Sequence, residues 1–295
     1  MRWLLAVGLL LLVGCNSSTP NAPSTPVDET LQRDTEAGRL AYDLEHPDEA
    51  VARYQEALTR AQARDDIKAI GDLGYNLAVA QLNANAPKRA LTVARTTRRE
   101  LERRNIEPFP ALLLVEATAL YRTGATADAD ATAARAAAGA AADPVAAARA
   151  TFLRGLIADE HGNESGLAAA AGTLASATAP ALRADSMELA ARLSLRRGDA
   201  AGARNEAGQA ADLRRESLDY RGLSRCLALQ AEAARGSGDA MAAADLFLRA
   251  GRSAVAQGDV TLAKPWLRTA AALAKGQSVG NAARDLLLQL DRNQS

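Results

Sequence analysis

The chain has 295 residues, with 35 Lys or Arg against 35 Asp or Glu, so it carries no net charge. Such a balance gives no long-range field to attract nucleic acid or acidic ligands, and nucleic acid is excluded as an expected partner. Aromatic residues make up 3% and alanine fills 71 positions, which excludes a core of large rings and points to closely approaching helices throughout.

In chain order, the first element is a run from Leu4 to Val13 with nothing more polar than Gly8. Ten helical residues span ~15 Å, about half of a ~30 Å hydrocarbon core, so the run is too short to cross a bilayer. With Arg2 ahead of it and the small residues Gly14 and Cys15 behind, it reads as a secretory signal. The four residues Leu12-Val13-Gly14-Cys15 resemble the lipobox of bacterial lipoproteins at every position. That resemblance implies cleavage before Cys15, thioether lipidation of its thiol and acylation of the new amino terminus. An ordinary signal peptide, with Cys15 incidental, is the alternative. Two or more acyl chains anchor a protein stably, at about 0.8 kcal/mol per buried CH₂, so a lipidated Cys15 would be a membrane attachment point.

Residues 1–14 are therefore expected to be the signal peptide, and 15–27 the lipidated cysteine with a disordered linker. Asn16 to Val27 contains three prolines and no apolar periodicity, which gives it nothing to bury. At ~3.1 Å per residue it would hold the folded body up to ~35–40 Å from the bilayer. Asn16 rather than Asp follows Cys15. In the pattern of Gram-negative lipoproteins this implies export to the outer membrane, facing the periplasm.

From Asp28 onward, short polar turns recur between apolar-periodic stretches: "EHPDEA" from 45, "NAPKRA" from 85, "GATADA" from 124, "GNESGL" from 162, "GDAAGA" from 198, "GDAMAAA" from 238 and "GDVTLA" from 258. A small residue precedes one alanine of each turn, or Leu167 in the fourth, by twelve positions. An apolar and another small residue follow it by four and seven. Examples are Ala117, Ala129, Ala133 and Ala136, or Ala231, Ala243, Phe247 and Ala250; the fourth unit departs, with Gly155, Leu167, Ala171 and Leu174.

This pattern resembles the tetratricopeptide repeat, a pair of antiparallel helices, over about 240 residues from Thr35 to Lys275. Small residues are needed where two helices cross, because larger ones would push the axes beyond ~8–10 Å. The chain departs from the family by lacking proline after the second helix and by replacing aromatic positions with Ala or Leu. The turn alanines are spaced by 40, 39, 38, 36, 40 and 20 residues, against a usual period of about 34. The expected fold is therefore an all-α, tetratricopeptide-like helical-hairpin solenoid over 28–276, with longer helices than usual. A generic alanine-rich bundle is the alternative. The final interval of 20 reads as one helix: 241–257 is shared, 260–275 is the next in the stack, and 277–295 forms a capping helix and tail.

Chemistry-bearing residues are few. His46 and His161 fall in separate turns more than a hundred residues apart, too far in sequence to suggest a shared metal. No phosphate loop, Ser–His–Asp set or Cys/His cluster is present. Asp159 and Glu160 are adjacent and so point to different sides of a helix. No enzyme, cofactor or metal is expected. Cys226 has no disulfide partner once Cys15 is lipidated; it reads as a small buried apolar residue or as a reactive thiol.

Two surfaces remain. On a helix over 88–105, Lys88, Arg95, Arg99 and Arg103 fall within ~80° of one another, opposite Ala90, Ala94, Thr97 and Leu101. This outer basic stripe is either a solvated face or a contact for anionic head groups or glycans. If the stack curves as its resemblance implies, first helices line a concave groove. Arg39, Tyr42, Leu82, Tyr121, Asp159, Arg192, Glu232 and Arg235 would then face a partner, with Val79, Thr118, Leu156 and Leu195 at equivalent positions. The expected function is a membrane-anchored scaffold or adaptor that docks other envelope proteins in this groove. The alternatives are a glycan- or lipid-binding module using the stripe, and a non-catalytic subunit of an envelope enzyme complex.

Overall fold

The computed structural model describes residues 28–292. The apolar run, Cys15 and the segment to Val27 lie outside the described residues. Within them the chain forms fourteen α-helices and no strands. They pair as hairpins: α1 (Glu29–Asp43) with α2 (Pro47–Ala63), α3 (Ile67–Asn83) with α4 (Pro87–Arg103), and α5 (Pro110–Arg122) with α6 (Thr126–Ala138). Next come α7 (Pro144–Glu160) with α8 (Glu164–Leu174), α9 (Pro180–Arg196) with α10 (Ala200–Glu216), and α11 (Tyr220–Gly236) with α12 (Ala240–Ala256). The last pair is α13 (Val260–Leu273) with α14 (Ser278–Arg292).

Turn chemistry sets the boundaries. Gly124, Gly162, Gly198, Gly238 and Gly258 end helices with positive φ, and Glu45, Asp65, Asn85, Asn105 and Leu218 do the same without glycine. An αL residue there satisfies the last carbonyls of the helix. Except after Asn105, the following residue caps the next helix. The side chains of Asp28, Asp66, Asp143, Asn163, Asp199, Asp219, Asp239 and Asp259 each accept a hydrogen bond from a first-turn backbone N–H. Four other helices instead begin with proline at the first turn, where its missing N–H costs nothing, and α7 has both proline and cap. A Gly-Asp dipeptide is thus one stop signal followed by one start signal.

Eight helices have 17 residues, and a three-residue turn makes the structural unit 20. The 40-residue spacing is a pair of such units. The shorter intervals arise at α5, α6 and α8, which have 13, 13 and 11 residues. The final spacing of 20 arises because Ala263 occupies on α13, a first helix, the place that Ala243 occupies on α12, a second helix.

The small positions are the helix crossings. Ala50, Ala90, Ala129, Leu167, Ala203, Ala243 and Ala263 are all fully buried. A Cβ built on Gly155 would stand 2.7 Å from Leu189 Cδ1, and one on Gly251 2.5 Å from Leu267 Cδ2, so neither site admits a side chain without moving its neighbour. Ala171, in the departing fourth unit, is only partly buried.

Each helix packs on the next, and the odd-numbered helices α3, α5, α7, α9 and α11 also pack on one another in sequence. Among the even-numbered helices only α12 and α14 pack to a comparable extent. The odd helices therefore form the inner, concave layer and the even ones the outer layer. Among the described residues no helix is long and apolar enough to cross a membrane.

Candidate functional site

The concave layer carries a cavity of about 740 Å³ at the C-terminal ends of α7, α9 and α11. Asp159 comes from α7, Arg192, Leu195 and Arg196 from α9, and Leu229, Glu232, Arg235 and Gly236 from α11. Equivalent positions on successive first helices meet here because the units stack in register. Half-buried Leu195 supplies apolar surface and packs on Leu229, which is buried in the core behind it. Arg192 Nη1 and Arg196 Nε each donate to the Asp159 carboxylate at 2.8 Å, and Arg235 Nε donates to Glu232 at 2.9 Å.

Behind the cavity lies a buried charge network. Glu188 on α9 is fully buried and accepts from Arg225 at 2.7 and 3.0 Å, from Arg192 at 3.1 Å and from Arg214 at 3.2 Å. Arg214 on α10 also donates to Asp185 at 2.5 Å and to Asp219 at 2.7 Å. The guanidinium carbons of Arg214 and Arg225 stand 5.6 and 5.7 Å from the centre of the Phe152 ring, close enough for cation–π attraction.

The two buried carboxyls titrate in opposite directions. Burial alone would raise Glu188, but Arg225, Arg192 and Arg214 outweigh it and hold the carboxyl at about 2. Asp185 is raised by burial, against which it has chiefly Arg214, and its Oδ2 has no hydrogen-bond partner. Burial, helped by the Glu188 charge, pushes the Cys226 thiol up to about 12. A thiol held so far towards its protonated form is a poor nucleophile, which favours the small-buried-residue account of Cys226.

Four of the eight groove residues proposed from sequence, Asp159, Arg192, Glu232 and Arg235, line this one cavity, together with Leu195. The other four do not. Arg39 and Tyr42 stand exposed on α1. Tyr121 turns its hydroxyl onto Glu160 of α7, and burial with that carboxylate raises its pKa. Leu82 requires correction: it is buried in the core with Ala78, Ala90 and Leu112, because α3 has apolar residues on more than one side and both neighbouring helices cover it. Leu156 is likewise core, packed with Leu167 and Leu189.

The basic stripe is partly neutralised. Arg95 reaches across to Glu116 on α5 at 3.4 Å and to Asp128 on α6 at 3.8 Å, and Arg103 pairs with Glu100. Lys88 and Arg99 remain exposed. His46 and His161 are exposed in their separate turns, His161 beside the Thr126 hydroxyl. Among the described residues no group of three or more His, Cys, Asp or Glu could hold a metal.

Asp185, Glu188, Arg214 and Arg225 were not anticipated from sequence. Their signal was present: Asp185 and Glu188 share the buried face of α9 with Ala184 and Ala191, where periodicity calls for apolar residues.

No protein-family model matches the chain, and no curated protein matches it. Solved structures do. The apo form of the quorum sensor NprR from B. thuringiensis is 13% identical, covers 90% of this chain and 71% of its own, and superposes with a TM-score of 0.54. The fold is a tetratricopeptide-like solenoid. A tetratricopeptide repeat protein from Parabacteroides merdae is 15% identical over 87% of this chain and all of its own, with a TM-score of 0.49. The TPR2AB domain of yeast Sti1, in complex with pHSP90, is 15% identical over 86% and 95% of the two chains, with a TM-score of 0.33.

Proposed function

We propose that the chain is a membrane-anchored, periplasm-facing adaptor that docks envelope proteins at the concave edge of its solenoid. The observation that carries this is the cavity shared by α7, α9 and α11, where half-buried Leu195, backed by the core residue Leu229, lies among the charged groups of Arg196, Glu232 and Arg235. Apolar surface within a polar rim is the anatomy of a protein-docking patch. The pairs at its mouth are already neutralised inside the chain, which suits a protein segment that presents both signs of charge. Anchoring at Cys15 would confine the adaptor to the bilayer and raise its effective concentration towards partners on the same surface.

Charge reversal of Arg196 and Arg235 to Glu should abolish capture of a specific envelope protein from crosslinked cells, with helicity unchanged. Capture at the wild-type level would overturn the docking site. Separately, a Cys15→Ser chain should leave the membrane fraction; retention there would overturn the anchor.

A further inference from the structure

The longest-range polar contact among the described residues joins the α3–α4 turn to the α12–α13 turn. Asn85 Nδ2 donates to the Gly258 carbonyl at 2.6 Å across 173 residues of sequence. Two arginines converge on the same amide. Arg122, at the end of α5, donates to the Leu82 carbonyl at 2.7 Å and to Asn85 Oδ1. Arg221, in the first turn of α11, donates to Asp259 at 2.5 Å and lies 3.4 Å from Asn85 Oδ1. The contact thus joins one edge of the second and third hairpins to the opposite edge of the sixth and seventh. That is one complete turn of the superhelix meeting the next.

The join is made only of polar groups. No buried hydrophobic cluster spans it: the clusters at α3–α5 and at α11–α14 are separate. Asn85 is exposed and Arg122 and Arg221 are half-buried, so water and salt reach the contact. A solenoid is held by nearest-neighbour interfaces, and small adjustments at each add up to a large displacement between its turns. A polar contact between distant turns therefore holds a long lever. Arg122 and Arg221 are also like-charged neighbours. Burial, and then Arg221, lowers the pKa of Arg122 to about 10, so the contact holds repulsion alongside its hydrogen bonds.

We infer that Asn85, Arg122, Arg221 and the Gly258–Asp259 turn form a latch that closes the superhelix on itself, and that its release lets the coil lengthen and opens the concave layer sideways. The latch is independent of which partner docks in the cavity. Its sensitivity is to ionic strength, because raising salt from about 0.1 M to about 1 M shortens electrostatic screening from ~10 Å to ~3 Å.

The test places spin labels at Arg89→Cys and Thr261→Cys, exposed positions flanking the latch, in the full chain carrying Cys15→Ser. Cys226 is buried and stays unlabelled. Electron–electron distance measurement at low salt should give one short, narrow distance. Adding Asn85→Gly with Arg221→Gln should shift most of the population to longer, broader distances; glycine keeps the positive φ that Asn85 adopts. High salt should produce the same shift in the chain with its latch intact, an arm that needs no latch variant to fold. One unchanged short distance in the intact chain at both salts would overturn the proposal. So would an unchanged distance in a latch variant of full helicity.

Discussion

Gly155 meets Leu189 so closely that a Cβ there would overlap both its methyl carbons and press on Ala170 at 3.1 Å. Leu189 is itself fully buried. A Gly155→Leu chain should lose about 1–3 kcal/mol or more, the cost of overpacking a dense core. The check is a denaturant midpoint, and an unchanged one would remove the crossing from this position. Leu218 presents the opposite case. It takes φ +56° at a turn position that glycine fills elsewhere, with its side chain 59% exposed. A left-handed backbone costs a non-glycine residue ~1–2 kcal/mol, and little burial is lost on truncation. Leu218→Gly should therefore stabilise the fold by about 0.5–1 kcal/mol after the added entropy of the unfolded chain is counted. Glu188 gives a pH signature. Its folded carboxyl is held near 2, below its ordinary 4.5, so its contribution is fully present above that ordinary value. It should be lost as pH falls through about 4.5 towards 2. Glu188→Gln should lose about 3–5 kcal/mol at neutral pH, since buried Arg214 and half-buried Arg192 and Arg225 remain around a neutral group. Its melting temperature should also depend less on acid than that of the unsubstituted chain; equal slopes would contradict this account of the network.

At the scale of elements, much was legible because stop and start signals are local. Gly198-Asp199 and Gly238-Asp239 each encode an αL end and an aspartate cap, and the spacing of such pairs displays the repeat. The small residues at Ala191, Ala203, Ala207 and Ala210 are legible for the same reason, since a crossing leaves a fixed register in the sequence. What escaped was anything needing a partner from another helix. Leu82 occupies a groove-facing register, yet apolar neighbours on both sides draw it into the core. Arg95 belongs to a basic stripe on its own helix, yet Glu116 and Asp128 lie across from it. The buried Glu188 is compensated by arginines up to 37 residues away, a distance at which single-helix periodicity says nothing. The 20-residue final interval is legible too, as one helix, because first and second helices share one turn geometry.

At the scale of the molecule, the inner helices bring Asp159, Arg192, Glu232 and Arg235 to one cavity although 76 positions separate the first from the last. The proposed adaptor depends on that gathering: a partner would touch the ends of three helices at once, beside a rigid charged layer. The most direct measurement is site-specific photo-crosslinking in cells expressing the full chain, with the photoreactive residue at Leu195 or Arg235 and, as the outer-face control, at Lys88. The account predicts one reproducible protein adduct from the two concave positions and none from Lys88, with the adduct diminished by Cys15→Ser. An adduct that forms from Lys88 and not from Leu195 or Arg235 would contradict it, and would return the function to the outer face of α4.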